Sequence, residues 1–176
     1  MSKISLITGG ARSGKSRCAL EWAGRCTGGR TFIATAEPFD DEMRVRIQKH
    51  RLERGEAFET IEEPVDLAGA LRSIPDTCEV AVVDCLTVWL GNLMHRSGGK
   101  AGPFPEVSEF LAHLGNLSFD LILVTNEVGM GIIPENPLAR RFRDELGRLN
   151  QEVVARAGRV VLMVGGLPLQ VKGAEG

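Results

Sequence analysis

Apolar positions along this chain follow two periods. Short, nearly unbroken apolar runs predict buried strands: Ile4 to Thr8, Thr31 to Thr35, Glu79 to Asp84, Asp120 to Thr125 and Arg159 to Val164. Between them, apolar residues return every three or four positions, the helical repeat. This predicts helices over Arg17 to Arg25, Asp41 to about Arg54, Asp66 to Ser73, Leu86 to Met94, Val107 to Leu114 and Pro137 to about Ala157. Cys18, Trp22 and Cys26 form an apolar stripe on the first helix, and Leu138, Phe142, Leu146, Leu149 and Val153 form one on the last. Ala57 to Glu63 reads either as a short strand or as an extended connector, and Leu167 to Val171 can add a terminal strand after Gly165-Gly166.

Strands alternating with helices predict an α/β fold, a mostly parallel sheet with helices on both faces. Residues 1–176 are long enough for one domain with a sizeable core. No internal repeat divides them, and the loop-like stretch Arg96 to Pro103 is too short to separate domains.

Chemistry enters where the first strand ends. Gly9-Gly10-Ala11-Arg12-Ser13-Gly14-Lys15-Ser16 fits G-x-x-x-x-G-K-[ST], the P-loop that cradles nucleotide phosphates. Glycines let successive backbone N–H groups turn inward onto phosphate oxygens. Lys15 has the reach for the β- and γ-phosphates, Ser16 carries a hydroxyl for Mg²⁺, and the following helix adds its positive dipole end. The motif stands between a predicted strand and a predicted helix, the context it requires.

Charge and composition narrow the partners. A formal net charge of -2 gives no electrostatic case for nucleic acid or an anionic membrane surface. The apolar runs are too short for a signal peptide or a membrane span, which predicts a cytoplasmic protein. Cys18, Cys26, Cys78 and Cys85 have neither C-x-x-C spacing nor a ligand-like relation to histidine, so they predict no zinc site or disulfide framework.

Three further stretches could face a ligand. Asp84 ends an apolar run, and behind a phosphate loop such a strand brings its acid to the Mg²⁺. Asp40 and Asp41 offer an N-cap to a helix that stops at Gly55, on which Met43, Ile47, His50 and Arg54 share one face. Arg51 or Arg54 could pair with a phosphate, and the phase of the helix favours Arg54. Asn126 to Asn136 is a polar, glycine-containing loop at the carboxyl end of a strand, where α/β sheets bind ligands.

Taken together, Gly9 to Ser16, Asp40-Asp-Glu-Met43, Arg46-Ile-Gln-Lys-His50 and Thr125-Asn-Glu-Val-Gly-Met-Gly-Ile-Ile-Pro-Glu-Asn136 resemble one family. It is the bifunctional adenosylcobinamide kinase / adenosylcobinamide-phosphate guanylyltransferase family (CobU/CobP type) of cobalamin biosynthesis. The resemblance runs from the first strand to the last and keeps the order of the motifs. It implies a RecA-like P-loop NTPase fold and a homotrimer. It also implies two reactions: phosphorylation of adenosylcobinamide by ATP or GTP, then transfer of GMP from GTP through a guanylylated histidine. The matching histidine is His50, with Lys15 as the catalytic lysine. The nucleotide contacts it implies are Gly9, Gly10, Ala11, Arg12, Ser13, Gly14, Lys15, Ser16, Thr35, Ala36, Glu37, Arg51, Leu52, Glu53, Arg54, Glu62 and Asp84, with Mg²⁺ at Ser16 and Asp84.

Two positions depart from the family pattern. Asp84 stands where members can carry Glu, one methylene longer, and Lys49 stands where a second histidine can occur. Two other function classes compete. A monofunctional small-molecule kinase would need the phosphate loop and Asp84 but no His50, and a nucleotide-binding switch module would show little turnover.

Overall fold

The five apolar runs are strands, and two further strands complete one seven-stranded sheet in the computed structural model, which describes residues 3–38, 41, 44, 45, 48, 51, 55–100 and 102–173. The strands are β1 (Ile4–Gly9), β2 (Gly29–Ala34), β3 (Glu59–Glu62), β4 (Cys78–Asp84), β5 (Asp120–Val124), β6 (Arg159–Val164) and β7 (Leu167–Lys172). Their order across the sheet is β3-β2-β4-β5-β1-β6-β7. All neighbours are parallel except β6 and β7. The short connector alternative for residues 57–63 is thereby resolved as an edge strand.

The helices are α1 (Lys15–Ala23), α2 (Leu67–Arg72), α3 (Leu86–Arg96), α4 (Pro105–His113) and α5 (Pro137–Arg156). Parallel strands need crossovers, so helices are forced onto the faces of the sheet. On one face α1 presents Cys18, Ala19 and Ala23 to Ile7, Phe32, Val82 and Val124. On the other, Trp89, Phe110, Leu146 and Leu149 of α3, α4 and α5 cover Leu6, Ile33, Val83 and Leu123. Strand residues alternate between these two cores, as the period of two requires.

Local chemistry sets the boundaries. The Asp66 carboxylate accepts from Gly69 N–H at 2.7 Å and caps α2. Asn136 caps α5 by accepting from the N–H groups of Leu138 and Ala139, with Pro137 at the first helical position. Gly165 and Gly166 both hold positive φ, 58° and 86°, the geometry of a two-residue hairpin turn. Residues 41, 44, 45, 48 and 51 are helical, in line with the predicted second helix. The rest of that prediction, including Asp40, Met43, Ile47, Lys49, His50 and Arg54, lies outside the described residues.

Two expectations about helix faces are corrected. Leu138 is 48% exposed rather than part of the α5 core stripe. The reason is length: Asn150 of α5 is level with the end of β5, bonded to Thr125, so Leu138 lies twelve residues or about 18 Å further along the axis. Cys26 falls beyond the end of α1, where its thiol donates to Glu79 Oε2 at 2.8 Å. Trp22 is half-buried beneath the Arg159 guanidinium, 3.9 Å from the ring centre.

Candidate active site

The loop after β1 turns tightly because its backbone visits the left-handed region repeatedly. Gly9 has φ 149°, Arg12 φ 55° and Gly14 φ 94°. Glycine is required at Gly9 for a second reason: a Cβ there would lie 2.6 Å from the Met163 carbonyl and 2.8 Å from Ser13 Oγ. Such a run of alternating backbone conformations turns N–H groups to one side and forms an anion-binding concavity. Helix α1 starts at Lys15, two residues earlier than its apolar spacing suggested, so Lys15 and Ser16 belong to its first turn. The unpaired N–H groups and the positive dipole end of α1 therefore open directly onto the loop.

Lys15 is buried, and its Nζ donates to the Gly10 carbonyl at 2.6 Å, with Ser13 Oγ at 3.5 Å. Burial pushes its pKa below the ordinary lysine value, while nearby Cys85 and Asp84 oppose that shift. Asp84, at the end of β4, thus acts electrostatically on the lysine of the loop.

The strand register explains how. Asp84 pairs with Val124 of β5, and Val124 pairs with Ile7 of β1. Asp84 and the residue two before Gly9 are therefore in one row, two strand spacings or roughly 10 Å apart. A carboxylate and the Ser16 hydroxyl make a sparse oxygen set. That suits Mg²⁺, which keeps several waters and takes its other ligands from phosphates. Among the described residues, no group of three or more His, Cys, Asp and Glu comes together as a dedicated metal cage.

The end of β2 is locked to the end of β4. Thr35 Oγ1 donates to the Cys85 carbonyl and accepts from the Cys85 N–H, both at 2.9 Å. Thr35 is fully buried, so its hydroxyl is spent on this latch. Ala36 and Glu37 are half-buried beyond it, and Glu37 accepts from Arg96 Nη2 of α3 at 2.9 Å. Burial and the neighbouring Asp84 raise the Cys85 thiol to about 12, so it stays protonated. Its sulfur accepts from Val88 N–H at 3.5 Å and caps α3.

Glu62, at the end of β3, pairs with Arg51, and both are exposed. The structure thus brings together two of the sequence-predicted residues that stand eleven positions apart. Strand β3 is four spacings from β1, about 19 Å, so Glu62 and the phosphate loop cannot hold the same phosphate group. Leu52, Glu53, Arg54 and His50 lie outside the described residues.

Several residues that organise this edge carry no sequence signal of their own. Asn92, buried in α3, donates through Nδ2 to the carbonyls of Thr35 and Pro64, at 2.8 and 3.1 Å. Thr87 Oγ1 accepts from the Asn126 N–H at 2.7 Å, and Thr125 Oγ1 donates to Asn150 Oδ1 at 2.8 Å. Asn150 Nδ2 donates to the Asn126 carbonyl at 3.2 Å. A polar residue inside an apolar helical repeat reads as surface until its partner on another element is known.

Comparison with known proteins agrees with this arrangement. FlaH, a flagellar accessory protein from Methanocaldococcus jannaschii, superposes with a TM-score of 0.55 at 14% identity, covering 97% of this chain and 78% of FlaH. The RadB recombinase superposes with a TM-score of 0.54 at 17% identity, over 91% of this chain and 73% of RadB. At those identities the likeness concerns the fold alone, a RecA-like P-loop NTPase. Sequence relatives are closer. The bifunctional adenosylcobalamin biosynthesis protein CobP of Pseudomonas aeruginosa is 43% identical, over 96% of each chain. The bifunctional adenosylcobalamin biosynthesis protein CobU of Escherichia coli is 38% identical, over 95% of this chain and 98% of its own. A family profile described as cobinamide kinase / cobinamide phosphate guanyltransferase matches residues 5–171. The chain belongs to that family of P-loop transferases of cobalamin biosynthesis.

Proposed function

We propose that residues 1–176 form one catalytic domain that performs both transfers at the carboxyl edge of the sheet. In the first, the hydroxyl of adenosylcobinamide takes the γ-phosphoryl group of ATP or GTP. In the second, GMP passes from GTP to His50 and then to the corrinoid phosphate, with release of pyrophosphate. The observation that carries this reading is the register that sets Asp84 level with Ile7, two residues before the Gly9–Ser16 loop, where Asp84 acts on the buried Lys15.

Each part of the loop has a task in both transfers. Backbone N–H groups from Gly9 to Ser16 hold the β- and γ-phosphates, and Lys15 stabilises the charge that develops as a phosphate leaves. Ser16 and Asp84 would hold Mg²⁺, which supplies further neutralisation of phosphate charge. Arg51, Glu62, Glu37 and Ala36 stand at the far end of the row, where the nucleoside would extend. Imidazole, with an ordinary pKa of about 6.5, is a competent nucleophile near neutral pH, which makes His50 the group to form the phosphoramidate.

Assembly as a homotrimer is implied by the resemblance. It is supported by an unusual sheet edge: Val164, Leu167, Leu169 and Val171, on and beside β7, are all more than half exposed. A long apolar edge strand invites pairing with another chain. Among the described residues no helix is long and apolar enough to cross a membrane.

Incubation with GTP labelled at the α- or the γ-phosphate separates the readings. The bifunctional enzyme gives an α-labelled protein adduct on His50, stable in alkali and labile in acid, and passes γ-label to adenosylcobinamide. A monofunctional kinase gives only the second, and a switch module gives neither. An adduct located on Lys49 or Lys15, or guanylyl transfer intact in His50→Ala, would overturn the assignment of His50.

A further inference from the structure

The phosphate loop supplies donors to the transferred phosphoryl group but no strong proton acceptor for the alcohol that attacks it. Lys15 and Arg12 are cations, and Ser13 and Ser16 are weak bases. We infer that Glu127 is the carboxylate that orients the acceptor hydroxyl in the kinase reaction and takes its proton. The inference rests on the nucleotide site proposed above.

Topology sets the backbone of Glu127 beside the loop. Strand β5 lies between β1, which ends in the loop, and β4, which ends in Asp84. The first residues beyond β5 therefore stand between the phosphate cradle and the metal-binding acid. The contact is direct: the Glu127 N–H donates to the carbonyl of Gly9, the first loop residue, at 3.1 Å.

The turn that carries Glu127 is held on both sides. Thr87 of α3 accepts from the Asn126 N–H, and Asn150 of α5 donates to the Asn126 carbonyl. Thr125, fully buried, bridges these two helices through its hydroxyl. The Glu127 carboxylate is itself half-buried and accepts from Gly129 N–H through Oε1 at 2.7 Å. Among the described residues that is its one bond, so Oε2 has capacity for a proton.

Access is also present. Glu127 lines an open cavity of about 580 Å³ together with Met130, Gly147, Asn150, Gln151 and Val154. Small and apolar walls with the Gln151 amide suit an alcohol borne on a large, amide-rich molecule such as a corrinoid. In the step, the alcohol oxygen bonds to the γ-phosphorus and its proton passes to Glu127. The bond from that phosphorus to the bridging oxygen breaks, and the nucleoside diphosphate leaves with the electron pair.

The test compares wild type, Glu127→Gln, Glu127→Asp and Lys15→Ala, measuring γ-phosphoryl transfer to adenosylcobinamide, α-labelled adduct and GTP affinity. Glu127→Gln should lower the kinase kcat by about a hundredfold or more, with GTP affinity and the protein adduct unchanged. Glu127→Asp should recover part of the rate. A kinase kcat within threefold of wild type in Glu127→Gln would overturn the assignment. So would parallel loss of adduct and GTP affinity, which would make Glu127 a structural turn residue. Kinase turnover surviving in Lys15→Ala would remove the nucleotide site itself, and this assignment with it, whereas normal dependence on Lys15 with indifference at Glu127 removes the assignment alone.

Discussion

Lys15 Nζ lies 2.6 Å from the carbonyl oxygen of Gly10, so the lysine of the phosphate loop folds back across the loop that it closes. The contact spans five residues and holds a buried ammonium against the loop backbone. Its remaining N–H bonds are directed by the same loop that would hold the phosphates.

From this position, Lys15→Ala is expected to abolish both transfers. Losing a charge-assisted contact to a leaving phosphate costs several kcal/mol in the transition state, roughly a hundredfold or more in rate. Kinase and guanylyltransferase assays on a variant with an unchanged circular dichroism spectrum check this. Turnover near wild type would take the loop out of the mechanism.

Through Val124, Asp84 stands level with Ile7, two residues before the loop. Asp84→Asn should shift the magnesium dependence of turnover to higher concentration and leave metal-free nucleotide binding nearly unchanged. A magnesium titration superimposable on that of wild type would reduce Asp84 to the end of a buried strand.

Asn92 is a prediction about stability rather than chemistry. It is 3% exposed and satisfies two carbonyls, those of Thr35 and Pro64. Asn92→Ala leaves both without their donor, a loss of about 1–3 kcal/mol for a buried group. Urea denaturation should show it as a lower midpoint at unchanged slope. The loss should also reach function, since Thr35 latches β2 to the residue after Asp84.

Assembly is expected to depend on β7. Sedimentation equilibrium should give three times the 19.1 kDa of one chain. Leu169→Glu places a charge on the exposed apolar strand and should move the mass toward the monomer, leaving the fold intact. A monomeric wild type at micromolar concentration would refute the trimer.

The residues from Ile4 to Ser16 determine much by themselves, because the phosphate loop is a local structure. Its conformation depends on glycines at Gly9 and Gly14, and its chemistry on Lys15 and Ser16, all within one strand–turn–helix unit. Strand and helix types were legible for the same reason: an unbroken apolar run or a period of 3.6 is written in neighbouring residues. The polar, glycine-containing run Asn126–Asn136 at the end of a strand pointed to a ligand-facing loop without showing what held it. Only the tertiary structure decided that β5 stands between the loop and Asp84, that Thr35 is spent on Cys85, and that Glu127 meets Gly9. The last two join residues 50 or more positions apart through hydroxyl and backbone hydrogen bonds. Such pairings depend on strand order, and strand order depends on which crossovers bury the two apolar faces together. The exposure of Leu138 was decided in the same way: the helical stripe is real, but the sheet it would cover ends about 18 Å before it.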